Sequence, residues 1–167
     1  GKIGGRVARL AKAFEMNVIG LKRDTSTPGD HVDELYPSAS FAELLPRADV
    51  TVLSCPLTDQ TRNVVDAAAL AVMQPSSFLV NVARGGCVDE AALIEALQED
   101  VIAGAGIDVT VEEPLAKDSL LWDLKNTIVT PHTGGETRKY EDNVLDILLN
   151  NLDRLFKGET ELHNQVV

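Results

Sequence analysis

Ser77-Phe-Leu-Val-Asn-Val-Ala-Arg-Gly-Gly-Cys-Val-Asp-Glu-Ala-Ala-Leu-Ile-Glu-Ala-Leu97 reads as a strand, a tight turn and a helix. Residues 77–82 are apolar and β-branched almost without alternation, as expected of a strand covered on both faces. Gly85 and Gly86 punctuate the run. Asp89 then offers a side-chain oxygen to the free amides of a first helical turn. Val88 and Leu93 stand where a hydrophobic staple would close across that cap. A strand leading through a glycine turn into a helix is the repeating unit of a parallel sheet.

The same unit recurs on either side. Residues 17–22, 49–54, 104–109 and 126–130 form further short apolar runs separated by helical stretches. Ser40 and Glu43 have the spacing of a capping box, Asp66 that of an N-cap, and Val65 with Leu70 that of a second staple. A last helix is expected from about Glu136 to Lys157, ended by Gly158. Its Val144, Ile147, Leu148, Leu152 and Leu155 share one face. Residues 24–39 are polar and read as a loop. The alternation predicts an α/β fold with a doubly wound parallel sheet. Such a sheet opens on a strand, whereas Gly1-Lys-Ile-Gly4 leads directly into a helix at Arg6–Phe14. The chain is therefore expected to begin one element late.

Composition narrows the function. The 167 residues carry 26 acidic against 15 basic side chains, a net charge of −11 and a pI near 4.6. That argues against nucleic acid as a partner, because such binding rests on clustered cations. No apolar run approaches the ~20 residues of a membrane span, and no signal-peptide pattern opens the chain. With 44% apolar residues but only four Phe, two Tyr and one Trp, the core must be aliphatic, with Met16 and Met73 as filler. Cys55 and Cys87, 32 residues apart and without a CxxC, read as unpaired thiols in a reducing compartment. That favours the cytoplasm. No metal-ligand spacing is present, and His31 and His163 read as solvated surface residues.

Gly1-Lys-Ile-Gly4 fits the second half of a G-x-G-x-x-G phosphate loop, in which one glycine admits a pyrophosphate and the next lets helix and strand approach. Alone it is equally ordinary loop punctuation. The next strand ends in Lys22 and Arg23, where a dinucleotide fold usually places an acid for the ribose. Two cations suit a 2′-phosphate, hence NADP(H), although a solvated surface pair or a ribose contact from Asp24 fits the spacing too. Further along, Arg84, Glu113 and His132 each lie beyond the carboxyl end of a predicted strand, where ligands bind in open α/β sheets. An arginine fork, a carboxylate and an imidazole can hold a keto acid and pass a proton. Spacing alone is equally compatible with a capping histidine and a surface arginine.

Taken together, the G-x-x-G loop, Cys55-Pro-Leu-Thr58 followed by Thr61, N-x-A-R-G-G-x-V-D at 81–89, G-x-D-V with E-P at 106–114, and T-P-H-x-G-G at 130–135 resemble the NAD-binding domain of the D-isomer-specific 2-hydroxyacid dehydrogenases. The resemblance spans nearly the whole chain. It implies a Rossmann-type domain that transfers a hydride between NAD(P)H and a small 2-keto or D-2-hydroxy acid, glyoxylate or hydroxypyruvate among them. It implies that Arg84 holds the substrate carboxylate or keto oxygen, that His132 is the acid/base and that Glu113 pairs with it. Gly1, Lys2 and Ile3 would cradle the pyrophosphate, and Lys22 and Arg23 would meet the adenosine ribose. Cys55, Pro56 and Thr61 would line the adenosine side. Val82, Ala83, Asp108, Gly134 and Gly135, with Arg84 and His132, would border the nicotinamide half.

Three departures qualify it. Lys22 stands where the family usually has Asp, favouring NADP over NAD. The run Thr133–Thr137 is unusually polar. Family chains are about twice as long and add a substrate domain, so the chain is expected to be a fragment, inactive alone. Residues 1–135 would be its dinucleotide-binding domain, and 136–167 a helix and tail returning toward that substrate domain. The full-length parent is expected to be a homodimer. A corepressor-like protein that senses nucleotide without turnover shares the same motifs and is the alternative.

Overall fold

The computed structural model describes residues 1–27 and 29–165, and these divide into two compact units, Gly1–His132 and Thr133–Val167. The first opens with helix α1 (Lys2–Ala13), followed by strands β1 (Ile19–Lys22) and β2 (Glu34–Pro37). Helix α2 (Phe41–Leu44), β3 (Val50–Leu53), helix α3 (Ala67–Ala71) and β4 (Phe78–Asn81) come next. Helix α4 (Glu90–Gln98), β5 (Gly104–Ile107) and β6 (Thr127–Val129) complete the unit.

Every strand pairing is parallel. β1 and β2 form one two-stranded sheet, and β3-β4-β5-β6 form a second in that order. Sequence order matches spatial order in the second sheet, so each crossover runs to the adjacent strand through a helix or a long loop. The parallel α/β architecture is the one expected. Side chains of Leu53, Leu79, Ala105 and Ile107 meet Ala69 and Leu70 of α3 and Leu93, Ala96 and Leu97 of α4 in one buried cluster. The expectation of strands buried on both faces holds for one face only. On the other, Val52, Val80 and Gly106 are half-buried and Ile128 is 71% exposed.

Asp66 and Asp89 cap α3 and α4 as expected, accepting from the amides of Ala69 and Ala92. Val65, Leu70, Val88 and Leu93 are all buried there, and Val65 and Val88 pair in a parallel bridge.

Four local expectations are corrected. Residues 24–39 are not all loop, since β2 pairs with β1 from Ile19–Glu34 to Lys22–Pro37; Pro28 lies outside the described residues. Ser40 forms no capping bond, because it ends a 3-10 turn (Ser38–Ser40) with φ −81° and ψ 8°, away from the extended backbone a cap needs. Met16 is 41% exposed, whereas Met73 is buried. Helix α1 starts four residues before Arg6, at Lys2.

Two ion pairs brace the smaller sheet. Lys12 of α1 reaches Asp33 at 2.8 Å, and Asp33 also accepts from the Val18 amide at 2.7 Å. Arg47, in the turn before β3, grips Glu34 of β2 at 2.7 and 2.9 Å.

The second unit is built on helix α5 (Tyr140–Phe156), which starts four residues later than expected, after the turn at 133–137. Gly158, at φ 76°, follows its end as the left-handed residue a helix terminus favours. Its apolar stripe is exposed: Val144, Ile147, Leu148, Leu152 and Leu155 all face solvent.

Candidate active site

An open cleft of about 460 Å³ lies at the carboxyl ends of β3 and β4. Ile3 of α1, Ser54–Leu57 after β3, and Val82, Ala83 and Arg84 after β4 line it. Parallel strands all end on the same side, so the loops that follow β3 and β4 converge there. Gly4 permits the close approach of α1: a Cβ at that position would stand 3.0 Å from Ser54 Oγ. This is the packing role expected of the second glycine. Gly1 is the N-cap and nothing lies within 4 Å of the position a Cβ would take, while Lys2 and Ile3 sit in the first helical turn rather than in a loop. The terminus of that helix, with no acidic side chain in its first turn, faces anions favourably.

The β4–α4 turn is held by its own side chains. Asn81, buried at the end of β4, accepts from the Ala83 amide through Oδ1 and donates through Nδ2 to the Arg84 carbonyl, both at 3.0 Å. Arg84 is exposed, and its Nη1 donates to the Ala83 carbonyl at 2.6 Å. Gly85 is buried so tightly that a Cβ there would overlap the Thr110 carbonyl. The Arg84 turn and the segment after β5 are therefore in backbone contact.

That segment carries Glu113. Its Oε1 accepts from the Thr110 amide at 3.1 Å and its Oε2 lies 2.8 Å from Nδ1 of His132. The Thr110 hydroxyl donates to the Glu112 carbonyl at 2.7 Å, and Glu90 of α4 accepts from the Val111 amide at 3.1 Å. The His132 hydrogen bond, burial notwithstanding, holds the Glu113 carboxyl below its usual range, helped by the Thr110 amide and the charges of His132 and Arg84. An ionised Glu113 can only accept, so Nδ1 carries the shared proton and Nε2, on the opposite ring edge, is left for other chemistry. The three residues singled out for catalysis are thus brought together, from the ends of β4, β5 and β6.

The remaining residues divide. Cys55, Pro56, Val82 and Ala83 line the cleft with Ile3. Thr61 does not: its hydroxyl accepts from the Thr58 amide at 2.8 Å and donates to the Pro56 carbonyl at 2.7 Å, building the turn that shapes the cleft wall. Lys22 donates to the Thr27 hydroxyl at 2.6 Å, and Arg23 is exposed. Asp24 accepts from the Ser26 amide at 2.9 Å, and bonds to Ser26 hold its carboxyl low. Asp108 accepts from the Thr130 hydroxyl at 2.6 Å. Gly134 and Gly135 fall in the second unit. Cys55 and Cys87, remote in sequence, are neighbours and both free; burial first, then the adjacent thiol, pushes Cys55 up to about 11. Cys55, its thiol held protonated, is not poised as a nucleophile.

The motifs have counterparts in known proteins. Residues 1–134 match the family described as D-isomer specific 2-hydroxyacid dehydrogenase, NAD binding domain. A glyoxylate reductase of Thermococcus gammatolerans is 40% identical over 159 residues, covering 95% of this chain and 47% of that protein. A D-3-phosphoglycerate dehydrogenase of Methanocaldococcus jannaschii is 38% identical over 161 residues, covering 95% of this chain and 30% of its own. Among solved structures, an NADPH-dependent glyoxylate/hydroxypyruvate reductase of Sinorhizobium meliloti, in complex with NADP and sulfate, superposes with a TM-score of 0.87 at 30% identity. That match covers 98% of this chain and 52% of the other. The chain spans about half the length of several curated relatives it matches.

Proposed function

The chain belongs to the D-isomer-specific 2-hydroxyacid dehydrogenases, and on that premise we propose that it is the cofactor-binding domain of an enzyme that reduces a small 2-keto acid to the D-2-hydroxy acid. The observation that carries the reading is the Glu113–His132 pair at 2.8 Å, whose carboxylate feels the charge of Arg84, while Arg84 itself lines a cleft that fits a dinucleotide. The fit rests on the open approach at Gly1, the positive end of the α1 dipole and the apolar wall of Val82 and Ala83.

When bound, NAD(P)H supplies the hydride to the carbonyl carbon. The chain supplies the groups that orient the substrate and move the proton. Arg84 orients the keto acid through its carboxylate or keto oxygen, as a planar fork does for paired oxygens. His132 gives the proton from Nε2 to the carbonyl oxygen as charge develops there, and Glu113 steadies the imidazolium and fixes its tautomer. Gly1, Lys2 and Ile3 hold the pyrophosphate on the α1 terminus. Cys55 and Pro56 cover the adenosine side, with Thr61 behind them, and Asp108 borders the nicotinamide half. Lys22 and Arg23 favour the 2′-phosphate of NADP(H) over the hydroxyl of NAD(H).

The reading assigns residues 1–135 to cofactor binding and 136–167 to a helical tail that meets a substrate domain. It also takes the enzyme to be a cytoplasmic homodimer, where two adjacent thiols remain reduced. Glyoxylate and hydroxypyruvate are the substrates to assay, with NADPH and NADH in parallel. In the protein that carries this domain together with a substrate domain, NAD(P)H oxidation that requires Arg84 and His132 supports the assignment, and binding of the cofactor without turnover on any 2-keto acid refutes it.

A further inference from the structure

We propose that Thr130 is a positioning residue that sets the proton donor His132 against the nicotinamide-side carboxylate Asp108, an inference that rests on the dehydrogenase reading. Thr130 stands one residue past β6, where the sheet has ended but its ladder has not. Its amide donates to the Ile107 carbonyl at 2.9 Å, its hydroxyl to Asp108 Oδ1 at 2.6 Å, and its carbonyl accepts from the His132 amide at 3.0 Å. One residue thus binds the ends of β5 and β6 and the backbone of the histidine.

The last of these bonds matters because His132 has φ 56°, a left-handed conformation that a side chain with Cβ disfavours. Such backbone persists only where its surroundings hold it. The ladder continues across the neighbouring strand end: the Asp108 amide donates to the Asn81 carbonyl at 3.0 Å, and the Asn81 side chain holds Ala83 and Arg84. Arg84, Asp108 and His132 are therefore spaced by one run of strand-end hydrogen bonds, in which the Thr130 hydroxyl is the side-chain link to Asp108. Hydride and proton must reach one carbonyl together, so small errors in that spacing cost rate more than affinity. The hydroxyl donates to a carboxylate, the kind of bond whose loss is felt most.

The test compares Thr130→Val, which keeps the shape and β-branching but removes the hydroxyl, with Thr130→Ser, which keeps the hydroxyl, in the protein that carries this domain. Three quantities are read: the NMR signal of the His132 ring proton shared with Glu113, NADPH affinity by fluorescence, and kcat and KM with glyoxylate. Thr130→Val is expected to shift the ring-proton signal, weaken NADPH and lower kcat by about tenfold, the scale of one charge-assisted bond, with KM for glyoxylate unchanged. Thr130→Ser is expected to restore all three. An unchanged ring proton and kcat in Thr130→Val would overturn the proposal, as would a Thr130→Ser as impaired as the valine variant. If the unaltered protein reduces no 2-keto acid, the dehydrogenase reading fails instead, and the ring-proton comparison of the two variants still decides the positioning role.

Discussion

Nδ1 of His132 lies 2.8 Å from Oε2 of Glu113, and the other oxygen of that carboxylate accepts from the Thr110 amide at 3.1 Å. The carboxylate is fixed from two sides, so the imidazole it holds has one orientation. An exposed ion pair of this kind adds little to stability in itself. Its value lies in placing Nε2.

The pH dependence follows from the sign of the Glu113 shift. The carboxyl is held below its ordinary range, so folding gains from its ionised form above the unfolded value, and loses that gain as pH falls through the depressed one. Glu113→Gln should therefore lower the melting temperature slightly at neutral pH. The difference from the unaltered protein should shrink as the pH is taken below the usual glutamate value of ~4.3 and vanish below the depressed one. Melting curves of both proteins across that interval check it, and a difference that grew in acid would contradict it.

Gly85→Ala tests the contact between the Arg84 turn and the Glu113 segment. A Cβ would overlap the Thr110 carbonyl, and backbone cannot swing aside as a side-chain tip does. Overpacking of this sort costs about 1–3 kcal/mol. The expected result is a lower melting point with reduced turnover, because moving Thr110 also moves the amide that grips Glu113. Gly5→Ala, inside α1 with nothing within 4 Å, is the control and should melt no lower than the unaltered protein does.

Cofactor choice should follow Lys22 and Arg23. NADPH is expected to bind more tightly than NADH by about 1–3 kcal/mol, the range of charge-assisted contacts to a phosphate. The Lys22→Asp, Arg23→Ser double variant should reverse the order. Calorimetric titration with each cofactor decides the matter; equal affinities in the unaltered protein would shift the ribose contact to Asp24.

Much of this was legible in the sequence, and the exceptions have physical causes. Strands β3 to β5 show because their apolar runs face the α3 and α4 core. β2 hid because Glu34-Leu-Tyr-Pro37 is short, half-buried and ends in proline, and its partner β1 is equally modest. Asp66 and Asp89 cap as read, since each meets an extended backbone, while Ser40 fails because a 3-10 turn ends on it. Arg84, Glu113 and His132 were recognisable as motif residues, but their meeting depends on strand ends that only the sheet aligns. The same alignment makes neighbours of Cys55 and Cys87. The Thr130–Asp108 bond carries no pattern in sequence at all.

Arg84 and His132 should fail differently. Arg84→Ala removes the fork that orients the substrate, so KM for the keto acid should rise while kcat falls. Losing a positioned acid typically costs 10²–10⁴-fold in rate, so His132→Asn should lower kcat with KM and NADPH affinity nearly unchanged. Steady-state assays over a range of glyoxylate concentrations separate the two patterns.

The most direct test is a single-turnover measurement of NADPH oxidation by glyoxylate, comparing the unaltered protein that carries this domain with its His132→Asn variant, both saturated with cofactor and substrate. The account predicts equal cofactor binding and a slowing of the chemical step by roughly a hundredfold or more in the variant. Equal rates in the two proteins would contradict it.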